Sequence, residues 1–86
     1  MQNTNNSQTA HKLTAKELLE RAFEEYRVQM ERGDIDEVVK RSGETKRNCQ
    51  EYIRGNVQSV VTGKKIFTEL RAIIVERENA IKKLVA

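Results

Sequence analysis

The stretch DIDEVVKRSGETKRNCQEYIRG, residues 34–55, decides the fold, because it has the pattern of two short helices joined by a tight turn. In its first half, Ile35, Val38 and Val39 recur at the steps that place side chains on one face of a helix. Gly43 then interrupts this pattern. A glycine can adopt the left-handed backbone conformation with which a chain leaves one helix and enters the next. We therefore predict a helix, a turn around this glycine and a second helix.

The second helix of this pair is predicted to begin after Thr45, whose hydroxyl can accept hydrogen bonds from the free amides of the first turn. Its apolar spacing directs Cys49, Tyr52 and Ile53 towards the core. The outward-facing or flanking residues are then Lys46, Arg47, Asn48, Gln50, Glu51 and Arg54. Cationic and amide groups of this kind bind phosphates and the donor and acceptor edges of bases in a major groove.

At these residues the chain resembles the helix-turn-helix of the lambda-repressor and Cro-like family. Its pattern has an apolar pair before a turn glycine and apolar residues at two points after it. Those places hold Val38 and Val39, then Gly43, then Cys49, and finally Tyr52 and Ile53. Ser42 and Glu44 depart from the pattern, because the family has apolar or small residues there, and a carboxylate at Glu44 needs solvent or a cation. The same glycine turn is also compatible with a plain helical hairpin.

The resemblance covers roughly residues 34–70 and implies a small DNA-binding regulator of bacterial, phage or mobile-element type. We predict base contacts from the second helix and its start, at Thr45, Lys46, Arg47, Gln50 and Arg54. Contacts to the DNA backbone are predicted at Lys40, Arg41, Asn48, Asn56, Lys64 and Lys65.

The charge distribution agrees with this assignment. Residues 38–65 contain seven Lys and Arg against two Asp and Glu, whereas residues 1–37 contain five against eight. A protein that docks a polyanion through one segment has this distribution. A solvated basic face without a partner has it too.

The composition predicts an all-α fold. The 86 residues include no proline and 4 glycines, and they contain few alternating β-branched runs. Because 34% of the residues are charged and 37% are hydrophobic, the core must be thin. We predict a polar, disordered tail at residues 1–12 and, at residues 13–86, a four- to five-helix bundle with a long C-terminal helix.

The first helix is predicted to start at a capping box formed by Thr14 and Glu17 and to run to about Arg32, where Gly33 stops it. Its apolar face comprises Leu18, Leu19, Ala22, Phe23, Tyr26 and Met30. Asp34 is predicted to cap the next helix, with Glu37 completing a second capping box.

The last helix, predicted at residues 62–85, carries an apolar stripe that must be buried somewhere. Its positions follow a seven-residue repeat that Arg77 interrupts, at Phe67, Leu70, Ile74, Ile81 and Leu84. The stripe can pack back on the first helix or form a twofold dimer within residues 66–85. We favour a homodimer, because two DNA contacts one helical turn apart raise affinity.

No pattern in the sequence points to catalysis. Cys49 has no histidine near it in sequence, and there is no glycine-rich phosphate loop or cluster of metal ligands. We therefore expect a protein that is not an enzyme and takes no cofactor, metal or small-molecule substrate. Without an apolar span of membrane length, a cytoplasmic location is expected. Two alternatives to DNA binding are a helical protein-interaction module and, less favoured for lack of exposed aromatic residues, an RNA-binding domain.

Overall fold

The computed structural model describes residues 12–86, and this part of the chain consists of four α-helices without a β-strand. The helices are α1 (Ala15–Arg27), α2 (Asp34–Ser42), α3 (Lys46–Arg54) and α4 (Val60–Val85). The predicted all-α fold with a long C-terminal helix is confirmed. The predicted tail lies outside the described residues except for Lys12.

Helix α1 begins where the capping box predicts and ends earlier than predicted. The backbone N–H of Glu17 donates to the Thr14 hydroxyl at 3.1 Å, and that of Thr14 donates to the Glu17 carboxylate at 2.9 Å. The predicted end near Arg32 is wrong, since the last helical residue is Arg27. Beyond it, the backbone N–H of Gln29 bonds to a carbonyl three residues earlier, which tightens the chain into a turn.

The turn from α1 to α2 is closed by Asp34, which has a different role from the predicted one. The N-cap of α2 is Gly33, at φ 93°, and it makes no side-chain capping bond. The predicted capping box of Asp34 with Glu37 is therefore wrong. The Asp34 carboxylate instead accepts a bond from the backbone N–H of Glu31 at 2.8 Å. It thus stabilises the turn before the helix rather than the first amides of the helix.

The core lies between α1, α2, α3 and the first half of α4. The Phe67 ring packs edge-on against Phe23 and Tyr26, with centroids 5.4 and 5.2 Å apart. Leu70 and Ile74 are also buried, with 0% and 2% of their surface exposed. Helix α4 therefore packs back on α1, which was one of the two alternatives for its apolar stripe. The prediction that Leu70 and Ile74 line a dimer interface is wrong, because the protomer's own core covers them.

Helix α4 starts at Val60, two residues before its predicted start, because the Ser59 hydroxyl accepts a bond from the Thr62 backbone N–H at 3.3 Å. At about 1.5 Å per residue its length is about 39 Å, and the described residues extend over 53 × 36 × 17 Å. Residues 78–86 are fully outside the core. Neither α4 nor another helix within residues 12–86 is long and apolar enough to cross a membrane.

Candidate nucleic-acid interface

Helices α2 and α3 are joined by the turn that the sequence predicts. Gly43 follows α2 with φ 76°, and its backbone N–H donates to the Val39 carbonyl at 3.0 Å. The Thr45 hydroxyl accepts a bond from the Asn48 backbone N–H at 3.1 Å, which makes Thr45 the N-cap of α3. Both local roles were predicted and are confirmed. Together they fix the residue at which α3 begins.

The inner face of α3 is anchored to the core along its whole length. Cys49, Tyr52 and Ile53 are buried, as predicted. The Tyr52 hydroxyl accepts a bond from the Ser59 backbone N–H at 2.9 Å, and Arg27 of α1 donates to the Ile53 carbonyl at 2.9 Å. Arg27 therefore satisfies a carbonyl at the end of α3, where helix carbonyls lack partners within the helix. The sequence carries no signal for this contact, because 26 residues separate the two partners.

The two residues that depart from the family pattern both find polar partners. Ser42 is buried, with its Oγ 3.6 Å from the Cys49 Sγ, and it accepts a bond from the Glu44 backbone N–H at 3.2 Å. The Glu44 carboxylate pairs with Lys65 of α4 and accepts a bond from the Asn48 side chain at 3.2 Å. The hydrogen bond from Lys65, followed by that from Asn48, lowers the pKa of Glu44. The carboxylate thus stays charged and partnered, and it does not disturb the turn.

Burial of Cys49 explains why its thiol is unsuited to chemistry. The side chain is fully buried, and burial raises the pKa of the thiol above its ordinary value. The thiolate, which is the nucleophilic form, is therefore disfavoured. Cys49 serves as a small apolar residue of the core.

The outer face of α3 presents polar side chains to solvent. Its exposed residues are Lys46, Arg47, Asn48, Gln50 and Arg54. Arg47 and Gln50 lie near the middle of the helix, and their three-residue spacing puts them on one face. Within the described part of the chain, neither side chain makes a hydrogen bond or ion pair. Their donors and acceptors are therefore available to a ligand.

The other cations of α3 are engaged by carboxylates. Lys46 Nζ lies 3.2 Å from Asp36 Oδ1, and Arg54 Nη1 lies 3.2 Å from Glu51 Oε2. Glu51 also accepts a bond from the Asn56 side chain at 2.8 Å. Sequence reasoning assigned no role to Asp36 and treated Glu51 only as an outward-facing residue. Glu51 and Arg54 lie three residues apart on one helix, and this spacing predicts their ion pair. No such spacing predicts the pair of Lys46 with Asp36, which lie on either side of the turn.

The predicted backbone contacts do not all lie beside α3. Arg41 forms two bonds of 3.0 Å with Glu76 of α4 and one of 2.9 Å with Glu37, so α4 holds its guanidinium. The hydrogen bonds with Glu76, and then those with Glu37, raise the pKa of Arg41. Lys64 lines an apolar groove between α1 and α4, whereas Lys40 is exposed on α2. Arg41 and Lys64 therefore belong to other surfaces of the protein.

Within residues 12–86, no group of three or more His, Cys, Asp or Glu side chains is placed to hold a metal ion. Comparison with protein-family models, curated proteins and solved structures found no match to this chain. The ligand that α3 can bind must therefore be inferred from its exposed side chains and from the intramolecular ion pairs and hydrogen bonds that engage them.

Proposed function

We propose that this protein binds specific sites in double-stranded DNA through its helix-turn-helix and acts as a repressor-like regulator of transcription. One observation carries the proposal: Arg47 and Gln50 are exposed and unpartnered among the described residues on a helix whose opposite face is buried. An arginine can bind O6 and N7 of guanine with two hydrogen bonds, and a glutamine can bind adenine in the same way. Each such contact discriminates between bases by about 1–3 kcal/mol.

The charge around α3 supports the same proposal. The segment 38–65, which contains α3, holds seven Lys and Arg against two Asp and Glu. Neutralised phosphates release counterions, and this release supplies affinity that is independent of sequence. Lys40 is exposed and unpaired among the described residues, and it is the cation best suited to a phosphate beside the turn. Lys65 can join it once a phosphate replaces Glu44.

We include a homodimer in the proposal, with a smaller interface than the sequence suggested. Of the predicted dimer residues, Ile81 and Leu84 are exposed, by 52% and 84%. Val85 adds a further exposed apolar side chain beside them. Two copies joined here would carry two α3 helices, and helix-turn-helix dimers bind half-sites about 34 Å apart.

The first experiment is a titration of a random-sequence DNA duplex with the protein, read by fluorescence anisotropy at low and at moderate salt. We expect log affinity to fall by about 0.9 per unit of log salt for each phosphate contacted. Selection from a randomised duplex library then yields an enriched duplex. Gln50→Ala should weaken binding to this duplex about 5- to 150-fold, the equivalent of about 1–3 kcal/mol, and leave binding to random DNA unchanged.

Arg47→Ala should likewise weaken binding to the enriched duplex more than binding to random DNA. Its matched control is Arg71→Ala, which removes the same charge from an exposed position of α4. Equal losses from the two arginine variants would contradict a base contact at Arg47. Absence of any duplex binding by the wild-type protein at low salt would overturn the proposed function.

The exposed apolar end of α4 favours a second candidate, a helical protein-interaction module. Ile81, Leu84 and Val85 are exposed by 52%, 84% and 78%. Apolar side chains spaced along one helix are the anchors with which such helices enter a groove of a partner protein. Two results together would favour this candidate over DNA binding: the wild-type protein binds no DNA at low salt, and Leu84→Asp disrupts a complex with a partner protein.

A further inference from the structure

Both ends of α3 carry a carboxylate that holds one cation and one amide. At the start of the helix, Glu44 pairs with Lys65 and accepts a bond from the Asn48 side chain at 3.2 Å. At its end, Glu51 binds Arg54 at 3.2 Å and Asn56 at 2.8 Å.

A third carboxylate reaches the same surface from α2. Asp36 Oδ1 lies 3.2 Å from Lys46 Nζ. Three carboxylates therefore engage three cations around a helix that leaves Arg47 and Gln50 open in its middle. Each of these carboxylates repels phosphate and so opposes the attraction of a polyanion to this surface.

The pairs affect random and specific DNA differently. Random DNA is bound almost entirely through phosphates, so each cation must exchange its carboxylate for a phosphate before it contributes. Binding to a specific site also draws on base contacts from the middle of α3, which these carboxylates do not occupy. The carboxylates in addition hold the amides of Asn48 and Asn56 in place. A group that is held in its bound orientation loses less entropy on binding.

We propose that Glu51 and Glu44, each of which holds one cation and one amide, determine specificity by suppressing binding to random DNA more strongly than binding to the preferred site. This inference rests on the proposed function. Glu51 is the better position for a test, because its side chain is 38% exposed, against 20% for Glu44, and it holds both Arg54 and Asn56. The more exposed pairs, Lys46 with Asp36 and Arg54 with Glu51, contribute little to the stability of the fold, so a phosphate can replace either carboxylate at little cost.

The test compares wild-type protein with Glu51→Gln on two probes, a random-sequence duplex and the duplex that the wild-type protein enriches from a randomised library. Glu51→Gln should raise affinity for the random duplex about three- to tenfold at about 0.1 M salt. The slope of log affinity against log salt should steepen by about 0.9, the value for one further phosphate contact. Affinity for the enriched duplex should change by less than about twofold, because the loss of the fixed Asn56 offsets the released cation. The ratio of the two affinities therefore falls.

Two further variants serve as controls for the effect of Glu51→Gln. Glu25→Gln removes the same charge from α1, at an exposed position two residues after the buried Phe23 and hence on the opposite side of that helix. It should change neither affinity by more than about twofold. Asp36→Asn releases Lys46 from an exposed position of α2 but frees no amide, so it separates the release of a cation from the loss of a fixed amide. It should raise affinity for both probes by similar factors.

The outcomes separate the inference from the proposed function. Wild-type protein that binds no duplex, or that enriches no sequence, overturns the proposed function and the inference with it. If the wild-type protein enriches a site but Glu51→Gln behaves like Glu25→Gln, the proposed function stands and the inference is overturned. Equal gains of Glu51→Gln on both probes also overturn the inference, since the ratio would not fall. Thermal unfolding followed by circular dichroism confirms that each variant is folded.

Discussion

The guanidinium of Arg77 in α4 and the carboxylate of Asp34 in α2 form a two-bonded ion pair, with Nη1–Oδ1 at 3.0 Å and Nη2–Oδ2 at 2.9 Å. Arg77 also donates to the Gln29 carbonyl at 3.1 Å and lies 3.3 Å from the Glu31 carboxylate. The pair lies at the point where α4 leaves the core. It therefore attaches the long helix to the turn between α1 and α2.

Removal of the carboxylate should destabilise the fold. Asp34 is 6% exposed, so Asp34→Asn leaves the partly buried guanidinium with only the exposed carboxylate of Glu31 as its counter-ion. We expect a loss of about 1–3 kcal/mol in the free energy of unfolding, below the value for a fully buried pair because part of Arg77 contacts water. Urea unfolding followed by circular dichroism at 222 nm measures it. The control Asp36→Asn alters an exposed pair and should cost less than about 0.5 kcal/mol; equal losses would refute the role of Asp34.

The same ion pair gives stability a defined pH dependence. Burial alone would raise the pKa of Asp34, but hydrogen bonds from Arg77 and from the Glu31 backbone N–H, with the charge of Arg77, outweigh it and lower the pKa. A lowered folded-state pKa contributes stability above the unfolded-state pKa, about 3.9, and this contribution disappears as the pH falls through the folded-state value. The stability difference between wild type and Asp34→Asn should thus be constant from about pH 5 to 7 and shrink below about pH 4. A difference that grows on acidification would contradict this sign.

Two leucines of α4 should respond oppositely to truncation. Leu70 is 0% exposed and Leu84 is 84% exposed. Leu70→Ala should cost about 2–5 kcal/mol, because it leaves a cavity in the core. Leu84→Ala should cost less than about 0.5 kcal/mol in dilute protein. If a dimer forms through this end of α4, the cost of Leu84→Ala should grow with protein concentration, which urea unfolding at several concentrations detects.

Alanine should change the free energy of unfolding by different amounts at two glycines, and for different reasons. Gly43 has φ 76°, and an added Cβ would meet no atom within 4 Å, so Gly43→Ala should cost about 1–2 kcal/mol through backbone strain alone. Gly63 is helical, and an added Cβ would lie 3.0 Å from the Leu19 Cδ1. The end of this leucine borders an open groove and can move, so the gain in helix propensity, about 1 kcal/mol, should roughly offset the crowding. Thermal and urea unfolding of both variants tests the contrast, and a larger loss for Gly63→Ala would contradict it.

Much of the helix pair α2–α3 could be predicted because its determinants are local. The turn at Gly43, the N-cap at Thr45 and the buried face of α3 each depend on residues within a few positions of one another. The end of α1 was missed for the opposite reason. Apolar spacing continues to Met30, but backbone bonds and the Asp34 carboxylate turn the chain after Arg27.

The sequence by itself determined the all-α fold with four to five helices, the turn between α2 and α3 and the polar outer face of α3, because helix periodicity and capping act over about one turn. Only the tertiary structure decided which of the polar groups are open to a ligand. Lys65 meets Glu44, and Arg41 meets Glu76, across 21 and 35 positions of the chain. Contacts between residues so far apart leave no periodic trace in the sequence, since packing of whole helices brings them together.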